Sequence, residues 1–266
     1  IWPAFTETVS GISKYEYAIG SSSGGTDVVD WTNNTTDTSV TKTGLTLTSG
    51  STYYISVRGT DNAGNVSTTI TSDGVIVDTD GPISGTVLDG TSADIDWTNS
   101  TSSLTATWSG FSDTLSGIQK YEYAIGSSSG GTDVVDWTNN TTDTSVTKTG
   151  LTLTSGTAYY ISVKATDNAE NVSTTITSDG VIVDTDGPIS GTVLDGTDVD
   201  IDWTNSTSSL TATWSGFSDT LSGIQKYEYA IGTSSGGTDV VDWTNNTTDT
   251  SVTKAGLTLT NGTTYY

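Results

Sequence analysis

The residues best equipped for chemistry in this chain are its aspartates, and they recur in short phrases. "VDTDGP" carries Asp78 and Asp80, and carries Asp184 and Asp186 in its second occurrence. "GFSDTLSG" carries Asp113 and, further on, Asp219, while "TDNAEN" carries Asp167 and Asn168. These are hard oxygen donors, the set that suits Ca²⁺. None has the spacing of a single calcium-binding loop, so an ion would have to be collected from separate segments. The same residues are also good turn formers that can simply face water. A second acidic group, Asp89, Asp94 and Asp96, offers the same two readings inside one domain.

Other chemistries are excluded by what is missing. The chain has no His and no Cys, so neither a Ser-His-Asp triad nor a thiolate metal site can form. Paired carboxylates could in principle hydrolyse a glycoside. Acids repeated on turns are more simply structural, and the chain is read as non-catalytic. With 31 acidic residues against 8 basic ones, the net charge is −23. Such a surface repels nucleic acid and anionic membranes. No stretch approaches a membrane span, so membrane insertion is not expected. No targeting segment is visible, and the chain opens and stops inside a repeating pattern, so both true ends are expected elsewhere. The absence of Cys leaves secretion possible without disulfides.

These acids must be positioned by repeats. "KYEYAIG" begins at Lys14, Lys120 and Lys226, each 106 residues after the last. "VVDWTNNTTDTSVTK" recurs at the same interval, and Trp2 aligns with Trp108 and Trp214. A solenoid unit runs about 20–50 residues, whereas this period suits a whole domain. The expected units are 1–81, lacking its first strand; 82–187, complete; and 188–266, truncated in its sixth strand. The Gly-Pro pairs at Gly81-Pro82 and Gly187-Pro188 fall at the boundaries, where Pro stiffens a short joint.

Within the complete unit, apolar residues alternate as strands covered on one face require. Leu104, Ala106 and Trp108 fall on one face; so do Tyr121, Tyr123 and Ile125, and also Tyr159, Ile161, Val163 and Ala165. "GVIVD" reads as the closing strand and "SSSGGTD" as a hairpin loop. No apolar helical period of useful length is present. The fold class is therefore all-β. Trp31 and Trp137 in "VVDWTNN" could be stacking platforms for sugars or could cover a sheet edge. The Thr-rich run after them has a bland reading as an exposed strand face.

The run "SLTATWSGFSD…GIQKYEYAIG…TSVTKTGLTLTSGTAYYISVKATDNAEN" resembles a fibronectin type III domain, over roughly Ser103 to Asp184. The resemblance implies tandem Ig-like antiparallel β-sandwiches in an extended array. It also implies that Tyr159, with Tyr53 and Tyr265, is the tyrosine that closes the corner before the sixth strand. "GTVLDGTSADIDWTNST" fits the family less well and reads as an elaborated first strand. "TDNAGN" and "VDTDGP" resemble the Ig-like repeats of giant secreted bacterial adhesins.

Laid on that topology, Asp78 and Asp80 should face Asp113, Asp167 and Asn168 across the first joint. Asp184 and Asp186 should face Asp219 across the second, with Ca²⁺ locking each joint. The expected function is a non-catalytic stalk at a bacterial cell surface or in a secreted filament. Its expected partners are the neighbouring repeats, surface glycans, or other copies in a fibre. Two other classes remain open: a carbohydrate- or partner-binding module, and spacer domains in a large secreted enzyme.

Overall fold

The computed structural model describes residues 1–266 and consists of strands, turns and loops without a helix. The first repeat contributes β1 (Ile12–Gly20), β2 (Val29–Asn33), β3 (Thr52–Asp61), β4 (Ile70–Thr71) and β5 (Val75–Ile76). The middle repeat contributes β6 (Thr86–Asp89), β7 (Trp97–Thr98), β8 (Ser103–Ser109), β9 (Ile118–Gly126) and β10 (Val135–Asn139). It continues with β11 (Ser145–Thr149), β12 (Ala158–Asp167), β13 (Ile176–Thr177) and β14 (Val181–Val183). The third adds β15 (Thr192–Asp195), β16 (Ser209–Ser215), β17 (Glu228–Ile231), β18 (Val241–Asn245) and β19 (Ser251–Ala255).

The middle repeat is a complete sandwich. One sheet has the order β11-β8-β6; the other has β10-β9-β12-β14-β7, with β13 also paired to β12. All pairings are antiparallel except β14 with β7. The chain is thus a tandem array of fibronectin-III-like β-sandwiches.

The alternation in the sequence maps directly onto the core. Leu104, Ala106 and Trp108 of β8 are buried, as are Tyr121, Tyr123 and Ile125 of β9 and the inward residues of β12. Each large aliphatic side chain so buried contributes about 1.5–3 kcal/mol. Trp108 and Phe111 pack edge-on against Tyr121, at centroid distances of 5.8 and 5.6 Å. The corner tyrosine is formed as the resemblance implies: the Tyr159 hydroxyl accepts the Thr154 N–H at 3.0 Å, as Tyr53 accepts from Thr48 and Tyr265 from Thr260.

The elaborated first strand is a crossover. β6 pairs with β8, but after Asp89 the chain turns at Gly90 and rejoins as β7 along β14 in the opposite sheet.

The first repeat lacks more than its first strand. It forms a single five-stranded sheet, and the residues corresponding to β11 pair with nothing. The reason is that β11 pairs only with β8, and only Ile1, Trp2 and Pro3 correspond to β8. In the third repeat, Trp203, Trp214, Tyr227, Tyr229, Ile231 and Tyr266 line a large open cavity. Their middle-repeat counterparts belong to the sandwich interior or its edge, and most of β12 has no counterpart up to Tyr266. Trp203 is 90% exposed where Trp97 is 38%. The cavity is therefore an uncovered core rather than a ligand site.

Candidate cation site at the joint between repeats

The first joint runs from β5 to β6. Asp78 leaves the first repeat here, and the two loops that meet it belong to the middle repeat. One follows β8 and carries Asp113; the other starts at Asp167, the last residue of β12. Carboxylate oxygens of Asp78, Asp113 and Asp167 all lie within 4.8 Å of one another. Three segments from two repeats thus converge on one point.

Each loop holds its acid by local hydrogen bonding. Asp113 Oδ1 accepts the N–H groups of Leu115, Ser116 and Gly117 at 2.7–3.0 Å. The Gly117 N–H above all holds Asp113 below the usual carboxylate range. Asp167 is fully buried; its Oδ1 accepts from Ala169 and Asn171, and its Oδ2 from the Asn171 side chain. Asp78 is different. Its Oδ1 accepts the Asp80 N–H at 3.2 Å, but Oδ2 is buried without a partner. A buried, unpaired carboxylate oxygen is costly unless a cation or proton satisfies it.

No side chain supplies that charge. The molecule contains five ion pairs, and every one uses a Glu. The joint is also closed sterically. Asn171 Nδ2 donates to the Asp78 carbonyl at 3.2 Å across the boundary. A Cβ on Gly81 would stand 2.6 Å from the Val172 carbonyl oxygen, so the backbones touch and only Gly fits.

The remaining expected residues sort differently. Asp80 turns back to its own repeat, where its Oδ2 accepts from Ser49 Oγ. Asn168 ties the two middle-repeat loops together, donating to the carbonyls of Ser116 and Gly117. Asp80 is outside the carboxylate cluster. At the second joint, Asp184 Oδ2 and Asp219 Oδ1 share the Ser222 N–H, at 3.2 and 2.8 Å. Hydrogen bonding from the Ser222 side chain, with the backbone N–H groups of Asp186 and Ser222, holds Asp184 below its ordinary range. Asp186 is exposed and gives Asp184 only its N–H. Asn171 is the contributor that sequence reasoning missed; its signal was the second Asn of "TDNAEN", three residues after the first.

The tryptophan platforms are half-buried, each with a cation over its ring. Arg58 lies over the Trp31 ring at 4.1 Å, and Lys164 over Trp137 at 4.2 Å. In the Thr-rich run, Thr147 on β11 bonds Thr105 of β8 through their hydroxyls at 2.9 Å.

No protein-family model matches the chain, and no curated protein matches it. Among solved structures, it is similar to the chicken CNTN1 FN1–FN3 domains at 17% identity and TM-score 0.35, covering 98% of this chain and 83% of that one. It is similar to the fibronectin(III)-like modules of Clostridium thermocellum CbhA at 17% identity and TM-score 0.34, covering 68% and 82%. Titin domains A168–A170 align at 18% identity and TM-score 0.38, covering 65% and 55%.

Proposed function

We propose that this chain is a non-catalytic spacer, a stalk segment of a bacterial cell-surface or secreted adhesin or filament, stiffened by Ca²⁺ at its joints. The observation that carries the reading is the first joint. Asp78 of one repeat meets Asp113 and Asp167 of the next, and its buried Oδ2 has no partner. An ion there would tie three segments of two domains and relieve the mutual repulsion of their charges. A spacer needs such joints more than it needs clefts, since its output is length and stiffness. Fibronectin-III-like sandwiches commonly serve as structural or spacer modules, although one fold hosts many functions.

The test is small-angle scattering and thermal melting of the full chain in Ca²⁺ and in EDTA. The reading expects a longer, stiffer particle and a higher melting temperature with Ca²⁺. Identical scattering and melting in both conditions would sink it.

A further inference from the structure

A second carboxylate group lies away from the joints, at the crossover between the two sheets of the middle repeat. β6 ends at Asp89, and the loop that follows folds back onto it. The Ile95 N–H donates to the Asp89 carbonyl at 2.9 Å, and the Asp89 N–H donates to Asp94 Oδ1 at 2.9 Å. On the other side, the turn between β13 and β14 presents Asp179. Gly180 makes that turn at φ +102°, pressed against the Tyr160 ring where no side chain would fit. Carboxylate oxygens of Asp89, Asp94 and Asp179 lie within 4.8 Å of one another. Asp96, the third acid expected from the sequence, is not in the group. Its carbonyl instead accepts the Ile182 N–H that docks the crossover onto β14.

The oxygen that points to a ligand is Asp89 Oδ1. Asp89 is 0% exposed, its Oδ2 accepts the Gly180 N–H at 3.0 Å, and its Oδ1 is buried with no partner. Burial, with the charges of Asp94 and Asp179 nearby, pushes the Asp89 carboxyl up to about 6, against the neighbouring Ser178 hydroxyl and the Gly180 N–H, which lower it. None of the molecule's ion pairs reaches these three acids. A fully buried carboxylate facing two others is satisfied by a proton or by a cation from solvent.

We infer that Asp89, Asp94 and Asp179 form a site for a hard divalent cation of the Ca²⁺ class, which pins the strand crossover of the repeat. The donors are all oxygen, which argues against zinc or copper. They come from a strand end and two surface turns. Ca²⁺ accepts such irregular geometry and completes its shell with water, whereas Mg²⁺ demands a near-ideal octahedron. Bound to Asp94 and Asp179, the ion joins the loop leaving one sheet to the turn entering the other. The third repeat repeats half of the arrangement, since the Asp195 N–H donates to Asp200 Oδ1 at 3.0 Å. The position matching Asp179 lies past Tyr266, and Asp195 is exposed.

This inference does not depend on the joint ion, and one calorimetric experiment separates the two. The full chain, stripped with EDTA and dialysed, is titrated with CaCl₂ as parent, Asp94→Asn, Asp179→Asn and Asp78→Asn. Asp94 and Asp179 are exposed, and circular dichroism checks that their variants keep the fold. Both should lose one Ca²⁺ per chain, or bind it at least about tenfold more weakly, and keep the joint ion. Asp78→Asn should do the reverse. Parent-like stoichiometry and affinity in both crossover variants would overturn the site, as would loss of all binding in Asp78→Asn. As a second reading, Asp89→Asn should melt higher than the parent in EDTA and gain less from Ca²⁺. A variant that melts lower in EDTA and gains as much as the parent counts against the site.

Discussion

The two joints share the phrase Val-Asp-Thr-Asp-Gly-Pro, and the first has beside it a loop whose counterpart at the second would be numbered beyond Tyr266. At the first, Asp78 meets two loops of the next repeat, Gly81 presses on Val172, and Pro82 is buried. At the second, Asp184 reaches only the loop carrying Asp219 and Ser222; nothing comes within 4 Å of a Cβ placed on Gly187, and Pro188 is exposed. The counterparts of Asp167, Asn171 and Val172 would be numbered beyond Tyr266. At the first joint the loop after β12 brings the third carboxylate and the backbone that Gly81 must clear.

The largest expected effect breaks this comparison directly. Ca²⁺ at about a thousandfold excess over its dissociation constant should stabilise a closed site by roughly 4 kcal/mol. Asp78→Asn should abolish the gain assigned to the first joint, and Asp184→Asn should cost little of it. Equal losses in the two variants, measured by calcium-dependent melting, would mean that the third carboxylate is irrelevant.

Next comes a contrast between buried and exposed acids. Asp89 has its carboxyl raised from 3.8 to about 6. The folded state therefore binds this proton more tightly than the unfolded chain. In EDTA, stability from this group should fall as pH rises from about 4 to 6 and stay low above that, by roughly 3 kcal/mol. Asp133 behaves oppositely. Hydrogen bonds from the Ser127 side chain and N–H hold it below 3.8, so its contribution is present above that pH and fades as pH drops through the lowered value. Melting temperatures of the parent, Asp89→Asn and Asp133→Asn across pH 3–8 check both signs. A profile unchanged by Asp89→Asn would refute the first.

A steric version follows. Gly81→Ala should cost about 1–3 kcal/mol of inter-repeat docking, because its Cβ meets the Val172 carbonyl at 2.6 Å. Gly187→Ala should be close to neutral in this chain. Limited proteolysis at the joints would reveal the difference, and equal cleavage rates would deny it. The smallest effect concerns the clamping loop itself. Glu170 sits at φ +71° where the first repeat has Gly64 at φ +90°. Glu170→Gly should relieve left-handed strain of about 1 kcal/mol, offset in part by the greater flexibility of the unfolded chain. A melting temperature that falls sharply would show that the Glu side chain does something at the joint that its geometry does not display.

Much of the sandwich could be read from local pattern. The period-two alternation through Leu104, Ala106 and Trp108 reports a face, because successive side chains on a strand point to opposite sides. The hairpin at Ser127–Asp133 and the corner at Tyr159 are also local, each closed by groups five or six residues apart. The joint was legible in part for a related reason. Once strand order is known, the poles on which loops fall are determined, so Asp78, Asp113 and Asp167 could be placed together. The rotation of each side chain about that pole could not be placed. Asp80 and Asn168 share the pole yet turn to Ser49 and to the Ser116 carbonyl, each drawn by a closer hydrogen bond.

What the sequence determined by itself is the unit: a domain repeated every 106 residues, all-β, acidic, and without the residues that nucleophilic or thiolate chemistry requires. What only the tertiary structure decided is which acids face one another. Asp179 stands 90 residues from Asp89 and replaces Asp96, its near neighbour, because the chain crosses between sheets after Asp89 and pairs β7 with β14. Crossovers and sheet pairing are set by long-range packing of the core. The composition of a loop records that acids are present there, and the pairing of distant strands determines whether they meet.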